Sequence, residues 1–174
     1  MEEFKNFVEN ENKKKYASQF NPNERIQKYK EFVDIFYQRV EQEWLFPFIN
    51  KKEIDVVSLE RPIAEQHLGQ YNVKEKVIII GGRNLHLRPV GTMIPGSCGR
   101  IDLIYEARSE MFVLVEAEIK TPKQMLECMY SNGCNGLNIN KDMVWKYVSK
   151  FPRLRYESVT SDVFQKILLD IING

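Results

Sequence analysis

The sequence predicts an α/β fold, helical in its first third and built beyond that on an antiparallel run of strands. Three observations carry this. Apolar residues recur at three- and four-residue spacing from Ile26 to Trp44. Four short segments of strand character follow one another between Lys76 and Lys120, punctuated by turn residues. A last amphipathic stretch then closes the chain. At 174 residues the chain is long enough for one domain, with residues 1–54 read as an N-terminal helical extension and 55–174 as the main domain.

The first long helix is predicted from the row Ile26, Tyr29, Phe32, Val33, Phe36, Val40 and Trp44, with Asn21 or Asn23 and Pro22 near its start and Pro47 at its end. Its other face mixes both signs of charge. The apolar stripe can pack on its own domain or on a second copy. A short helix is expected over 58–69: Ser58 can cap it, Pro62 suits its first turn, and Ile63, Ala64, His67 and Leu68 share a face up to Gly69.

Strands are predicted at 76–80, 85–90, 100–105 and 112–120, with Gly81-Gly82, Pro95-Gly96 and Arg108-Ser109-Glu110 between them. Thr121-Pro122 introduces a helix to Tyr130, and an Asn/Gly-rich loop occupies 131–140. A helix is expected over 142–150, a strand over 154–159 and a final helix over 162–172 with Phe164, Ile167, Leu168 and Ile171 inward.

Cys98, Cys128 and Cys134 lack zinc-ligand pairing, so reduced, structural thiols and a reducing compartment are expected. The N-terminus has no signal-like apolar run and no stretch is long enough for a membrane helix; a cytoplasmic protein is the expectation. A net charge of +1 leaves nucleic-acid binding to the local distribution of basic residues.

The chemistry-bearing residues concentrate in the third and fourth predicted strands. Along 112–120 side chains alternate, which puts Phe112, Leu114, Glu116, Glu118 and Lys120 on one face and Val113, Val115, Ala117 and Ile119 on the other. Asp102, one hairpin away, can join them. Neighbouring carboxylates repel one another, and a hard divalent cation such as Mg²⁺ or Mn²⁺ relieves this. Such an ion activates water and orients a phosphate, with a lysine charge beside it. The bland alternative is a solvated Glu/Lys alternation on an ordinary sheet.

The run GRIDLI (99–104), a turn, and FVLVEAEIK (112–120) resembles the PD-(D/E)XK nuclease superfamily, and more narrowly the catalytic domain of the archaeal and actinobacterial mismatch endonucleases. The resemblance covers about a fifth of the chain. It implies a restriction-endonuclease-like αβββαβ core within 55–174 and a Mg²⁺- or Mn²⁺-dependent DNA endonuclease, acting as a homodimer if it cuts both strands. Asp102, Glu118 and Lys120 are then the catalytic residues. Asp102 and Glu118 become metal ligands, with Glu116 and Glu60 (or Glu65) as further candidates. Arg88, Arg100 and Gln124 are candidates for contacting the nucleic acid.

Ile101 stands where the name-giving proline would be, and Glu116 where an apolar residue is usual. His86 and Arg88 are candidate phosphate contacts, while His67 reads as a core or capping residue. The later Lys141, Lys146, Lys150, Arg153 and Arg155, interspersed with Trp145, Tyr147 and Tyr156, could extend a nucleic-acid surface or be plain solvated faces. A non-catalytic binding module is the alternative. It predicts that the acids are salt-bridged within the protein.

Overall fold

A computed structural model describes residues 2–19, 21–130 and 139–174. Among these, the chain forms a seven-stranded sheet in sequential order, every neighbouring pair antiparallel. The strands are β1 (Ile54–Glu65), β2 (Gly69–Ile80), β3 (Arg83–Gly91), β4 (Arg100–Tyr105), β5 (Arg108–Glu116), β6 (Met143–Ser149) and β7 (Arg155–Ser158). Helices α1 (Glu2–Gln19), α2 (Pro22–Arg39) and α3 (Phe46–Asn50) precede them, α4 (Pro122–Tyr130) lies between β5 and β6, and α5 (Ser161–Asn173) closes the fold. The fold is mixed α/β, as expected. No described helix is long and apolar enough to cross a membrane.

Helix α2 begins where Asn21 accepts a hydrogen bond from the Glu24 amide at 3.1 Å, with Pro22 in the first turn. It continues through a π-helical turn, Val40–Trp44. Its stripe of Tyr29, Val33, Phe36, Val40 and Trp44 is buried against one face of the sheet, here called the helical face. Phe36 sits 5.1 Å from Phe112, 5.6 Å from Trp145 and 6.4 Å from Phe164, ring centre to ring centre. Sheet, α2 and α5 therefore share one core, which answers what the stripe packs on.

Pairing decides which side chains lie on the opposite face, because directly opposed residues of an antiparallel ladder point the same way. Ile101 pairs with Phe112 and Leu114 with Trp145, so these belong to the helical face. Arg88 pairs with Asp102, Asp102 with Met111, and Arg100 with Val113, which in turn pairs with Lys146. These residues point away from α2.

That second face has two halves. Over β5–β7, Val113, Val115, Val148 and Tyr156 are buried together with Ile119 and Met125 of the segment that leads into and through α4. Tyr156 also donates to the Gly96 carbonyl at 2.8 Å, tying down the loop before β4. Over β1–β4, Glu75 and Val77 are buried, while Arg61, His86, Arg88, Arg100 and Asp102 around them stay partly exposed. We call this half the open face.

Several expectations are corrected. Residues 58–69 are not a helix: Ile54–Glu65 pairs residue by residue with Gly69–Ile80, and the 66–68 turn uses positive φ at His67 (72°) and Gly69 (79°). His67 is an exposed turn residue, neither core nor cap. Pro62 is tolerated because β1 is an edge strand. The helix expected over 142–150 is instead the strand β6, Met143–Ser149; Met143, Trp145 and Val148 are buried, so both faces read as apolar and the period-2 signal is lost. The strand expected to reach Lys120 ends at Glu116. Cys128 is disulfide-bonded, against the expectation of reduced thiols. Cys134 and most of the Asn/Gly-rich loop lie outside the described residues.

Candidate nucleic-acid interface and acid-x-Lys turn

The open face is built around Glu75. Its carboxylate is only 3% exposed, yet Arg61 (3.2 Å), Arg88 (3.2 Å) and His86 (2.7 Å) all converge on it. Arg61 comes from β1 and His86 and Arg88 from β3, the two strands that flank Glu75 on β2, and each roofs the carboxylate while keeping about a third of its own side-chain surface in solvent. Burial alone would push the Glu75 carboxyl up, but the hydrogen bonds from Arg88 and His86 and the two guanidinium charges outweigh it, and the group lies below the ordinary carboxylate range.

Next to Arg88 on β4, Asp102 accepts two hydrogen bonds from Arg100, Nε to Oδ1 at 2.6 Å and Nη2 to Oδ2 at 2.8 Å. This is a fork-to-fork pair that occupies both carboxylate oxygens. Arg61, Arg88 and Arg100 thus oppose Glu75 and Asp102, three guanidinium charges against two carboxylates. Within this group the guanidiniums exceed the carboxylates by one and keep part of their edges exposed, and Asp55, exposed on β1, shares the face.

The acid-x-Lys residues do not sit where strand alternation predicts. Glu116, the last residue of β5, pairs with Met143 on the helical face, and Asn140 donates to its Oε1 at 3.2 Å. The chain then turns at Ala117 and Glu118. Lys146, rising from β6 on the face opposite α2, donates to the carbonyls of Ala117 at 2.6 Å and Ile119 at 2.5 Å. The turn is thereby folded onto the same face of the sheet as Asp102.

Glu118 and Lys120 are exposed there, and both are near enough to act electrostatically on Lys146. Lys146 lies two strands from Arg100, a lateral distance of roughly 10 Å. Burial depresses the Lys146 ammonium, the Lys120 charge adds to this, and Glu118 opposes it. The expectation that Lys146 belongs to a solvent-facing basic surface is corrected: it is 5% exposed and holds main chain. Trp145 and Tyr156 are likewise core residues rather than stacking platforms.

The remaining candidates separate. Glu60 is exposed on the edge strand β1, paired with Lys74 and three strands from Asp102. Glu65 clasps the loop after β3, accepting from the amides of Thr92 (2.6 Å) and Met93 (2.7 Å) and from the Tyr71 hydroxyl. Its carboxylate occupies the space a Cβ at residue 91 would need, which is why glycine stands there with φ 149°. The Gln124 side chain folds back to accept from the Lys120 amide at 2.7 Å and so shapes the turn. Cys98 is a buried thiol pushed up to about 11 by that burial, which disfavours a nucleophilic role.

Mg²⁺ or Mn²⁺ was the expected cofactor. Among the described residues no three His, Cys, Asp or Glu side chains form a group that could hold a metal ion, and both Asp102 oxygens are already engaged by Arg100. The acids do not fit a metal ion as they are arranged. Sequence reasoning missed the roles of Glu75, Arg61 and Lys146. Arg61 lay in a segment misread as helix, and Glu75 lay just before the strand predicted from Lys76, which begins at Gly69.

No family model, curated protein or solved structure matches this chain.

Proposed function

We propose that the protein is a DNA endonuclease that lays the phosphodiester backbone along the open face and cuts it beside the Glu118–Lys120 turn. The observation that carries this reading is that the turn is tied to the same face of the sheet as Asp102, Arg88 and Arg100. Exposed guanidinium edges bind and register phosphates. The Lys120 ammonium supplies positive charge to the phosphate oxygens as negative charge builds there. Glu118, an exposed carboxylate, is the candidate to take the proton of an attacking water.

In this proposal the first core helix, expected at 58–69 but replaced there by β1, has to be α2 from outside 55–174; β3–β5, α4 and β6 then come in αβββαβ order, with the β1–β2 hairpin inserted after α2 and β6 returning antiparallel to β5. A site of this kind cuts one strand at a time, so a homodimer is proposed for double-strand cleavage. The sequence resemblance implies dependence on Mg²⁺ or Mn²⁺; the arrangement of the acids supplies no support for it, and no step above uses a metal.

A second reading is favoured by a specific observation. Arg100 closes both oxygens of Asp102, as a non-catalytic binding module requires. Cleavage of supercoiled plasmid and of branched or mismatched duplexes, with Mg²⁺, Mn²⁺ or EDTA, separates the two. The nuclease reading expects nicking that Glu118→Gln and Lys120→Ala each reduce by a factor of about 100 or more, the range of general acid–base and electrostatic contributions. Binding without cutting under every condition supports the module.

A further inference from the structure

We propose that Lys146 is the positioning residue of the acid-x-Lys turn, holding Glu118 and Lys120 over the face that carries Asp102; as a catalytic role this rests on the nuclease reading above. Lys146 is the one charged residue of β6, and its backbone lies in the ladder between Val113 and Ser158. A lysine there cannot reach bulk water easily, being 5% exposed. It instead spends two of its three N–H donors on the carbonyls of Ala117 and Ile119.

Those carbonyls bracket Glu118. They belong to residues that have left the ladder: β5 ends at Glu116, and helix α4 does not begin until Pro122. Such a segment has no repeating main-chain partners, and its conformation is set by a few individual bonds. Besides the Lys146 pair, these are the Ile119 amide to the Glu116 carbonyl at 3.1 Å, the Lys120 amide to Gln124 at 2.7 Å and the Tyr156 amide to the Lys120 carbonyl at 2.7 Å.

Among the described residues Lys146 is the side chain that ties the carbonyls on either side of Glu118 to the sheet, beside the main-chain bonds to Glu116 and Tyr156, and its bonds are charge-assisted. The turn at Ala117 and Glu118 takes the chain off the strand path. Continued alternation would instead send Glu118 and Lys120 to the helical face with Glu116, away from Asp102. The ammonium strap is what puts the two halves of the motif on one side.

The test uses the full chain and Lys146→Met, Lys146→Gln and Lys146→Arg, read by amide hydrogen exchange and, in parallel, by DNA cleavage. In Lys146→Met the amides of 117–121 should exchange at least about tenfold faster while β3–β5 keeps its protection. Lys146→Gln, the milder change, should fall between, and Lys146→Arg, which keeps two charged donors, should restore slow exchange. Cleavage should lose kcat in the same order with KM for DNA unchanged.

Unchanged exchange at 117–121 in Lys146→Met and Lys146→Gln, or a rise spread evenly over the whole sheet, overturns the proposal. Fast local exchange in a protein whose wild type cuts no DNA keeps the strap and removes the nuclease reading, so the two failures are distinguishable.

Discussion

On the helical face, Phe36 places its ring 5.1–6.4 Å from those of Tyr37, Trp44, Phe112, Trp145 and Phe164. On the open face, Glu75 gathers two arginines and a histidine within 3.2 Å, and Asp102 takes both prongs of Arg100. One sheet carries both. One face is non-directional apolar packing, where the gain follows area removed from water. The other is a directional polar lattice whose donors remain reachable by solvent, and it can exchange partners without unfolding the core. In the proposed reading, stability rests chiefly on the helical face and recognition on the open half of the other.

The comparison breaks first, and hardest, on the helical side. Phe36→Ala should cost about 3–5 kcal/mol, the range for truncating a buried aromatic, measured by urea denaturation. A loss below about 1 kcal/mol would mean that α2 is a detachable layer. The open face should be less costly to damage. Glu75→Gln keeps shape but removes the charge that Arg61 and Arg88 share, and should cost about 1–3 kcal/mol, because both guanidiniums can turn to water.

The Glu75 carboxyl lies below its ordinary value of 4.5 in the folded protein, so its contribution is present above that value and is lost as pH falls through the lower, folded value. Wild type should therefore lose more stability than Glu75→Gln on acidification below about pH 4.5; parallel acid curves would sink the assignment. The smallest effect belongs to Tyr29→Phe. It removes the hydroxyl that donates to the Arg100 carbonyl at 2.7 Å from the helical side, and should cost about 1 kcal/mol while leaving DNA affinity alone.

What was legible in the sequence follows the same division. The helix through Phe36 and Trp44, the strand at 100–105 and the last helix with its Phe164, Ile167, Leu168 and Ile171 face were readable because packing onto one face writes a period into the chain. The segment 58–69 misled because Ser58 and Pro62 are genuine helix-start residues; twelve consecutive pairs with β2 override that local preference. β6 misled because Trp145 and Lys146 are both buried, one on each face.

The candidate site was legible as residues and not as geometry. GRID and EIK gave Asp102, Glu118 and Lys120, yet alternation alone joined Glu116 to them, and the ladder sends it to the other face. Nothing local in MVWKYVS marks Lys146 as the residue that redirects the chain.

The central claim is that recognition lies on one face, and a salt series of DNA affinity tests it most directly. The proteins to compare are wild type, an Arg61→Ala/Arg88→Ala double variant of the open face, and Lys28→Ala/Lys30→Ala on α2. The account predicts that the open-face variant binds at least about tenfold more weakly, with the slope of log affinity against log salt reduced by about 2, one unit per lost phosphate contact, and that the α2 variant is unchanged. Equal loss in both variants, or none in the open-face pair, would contradict it.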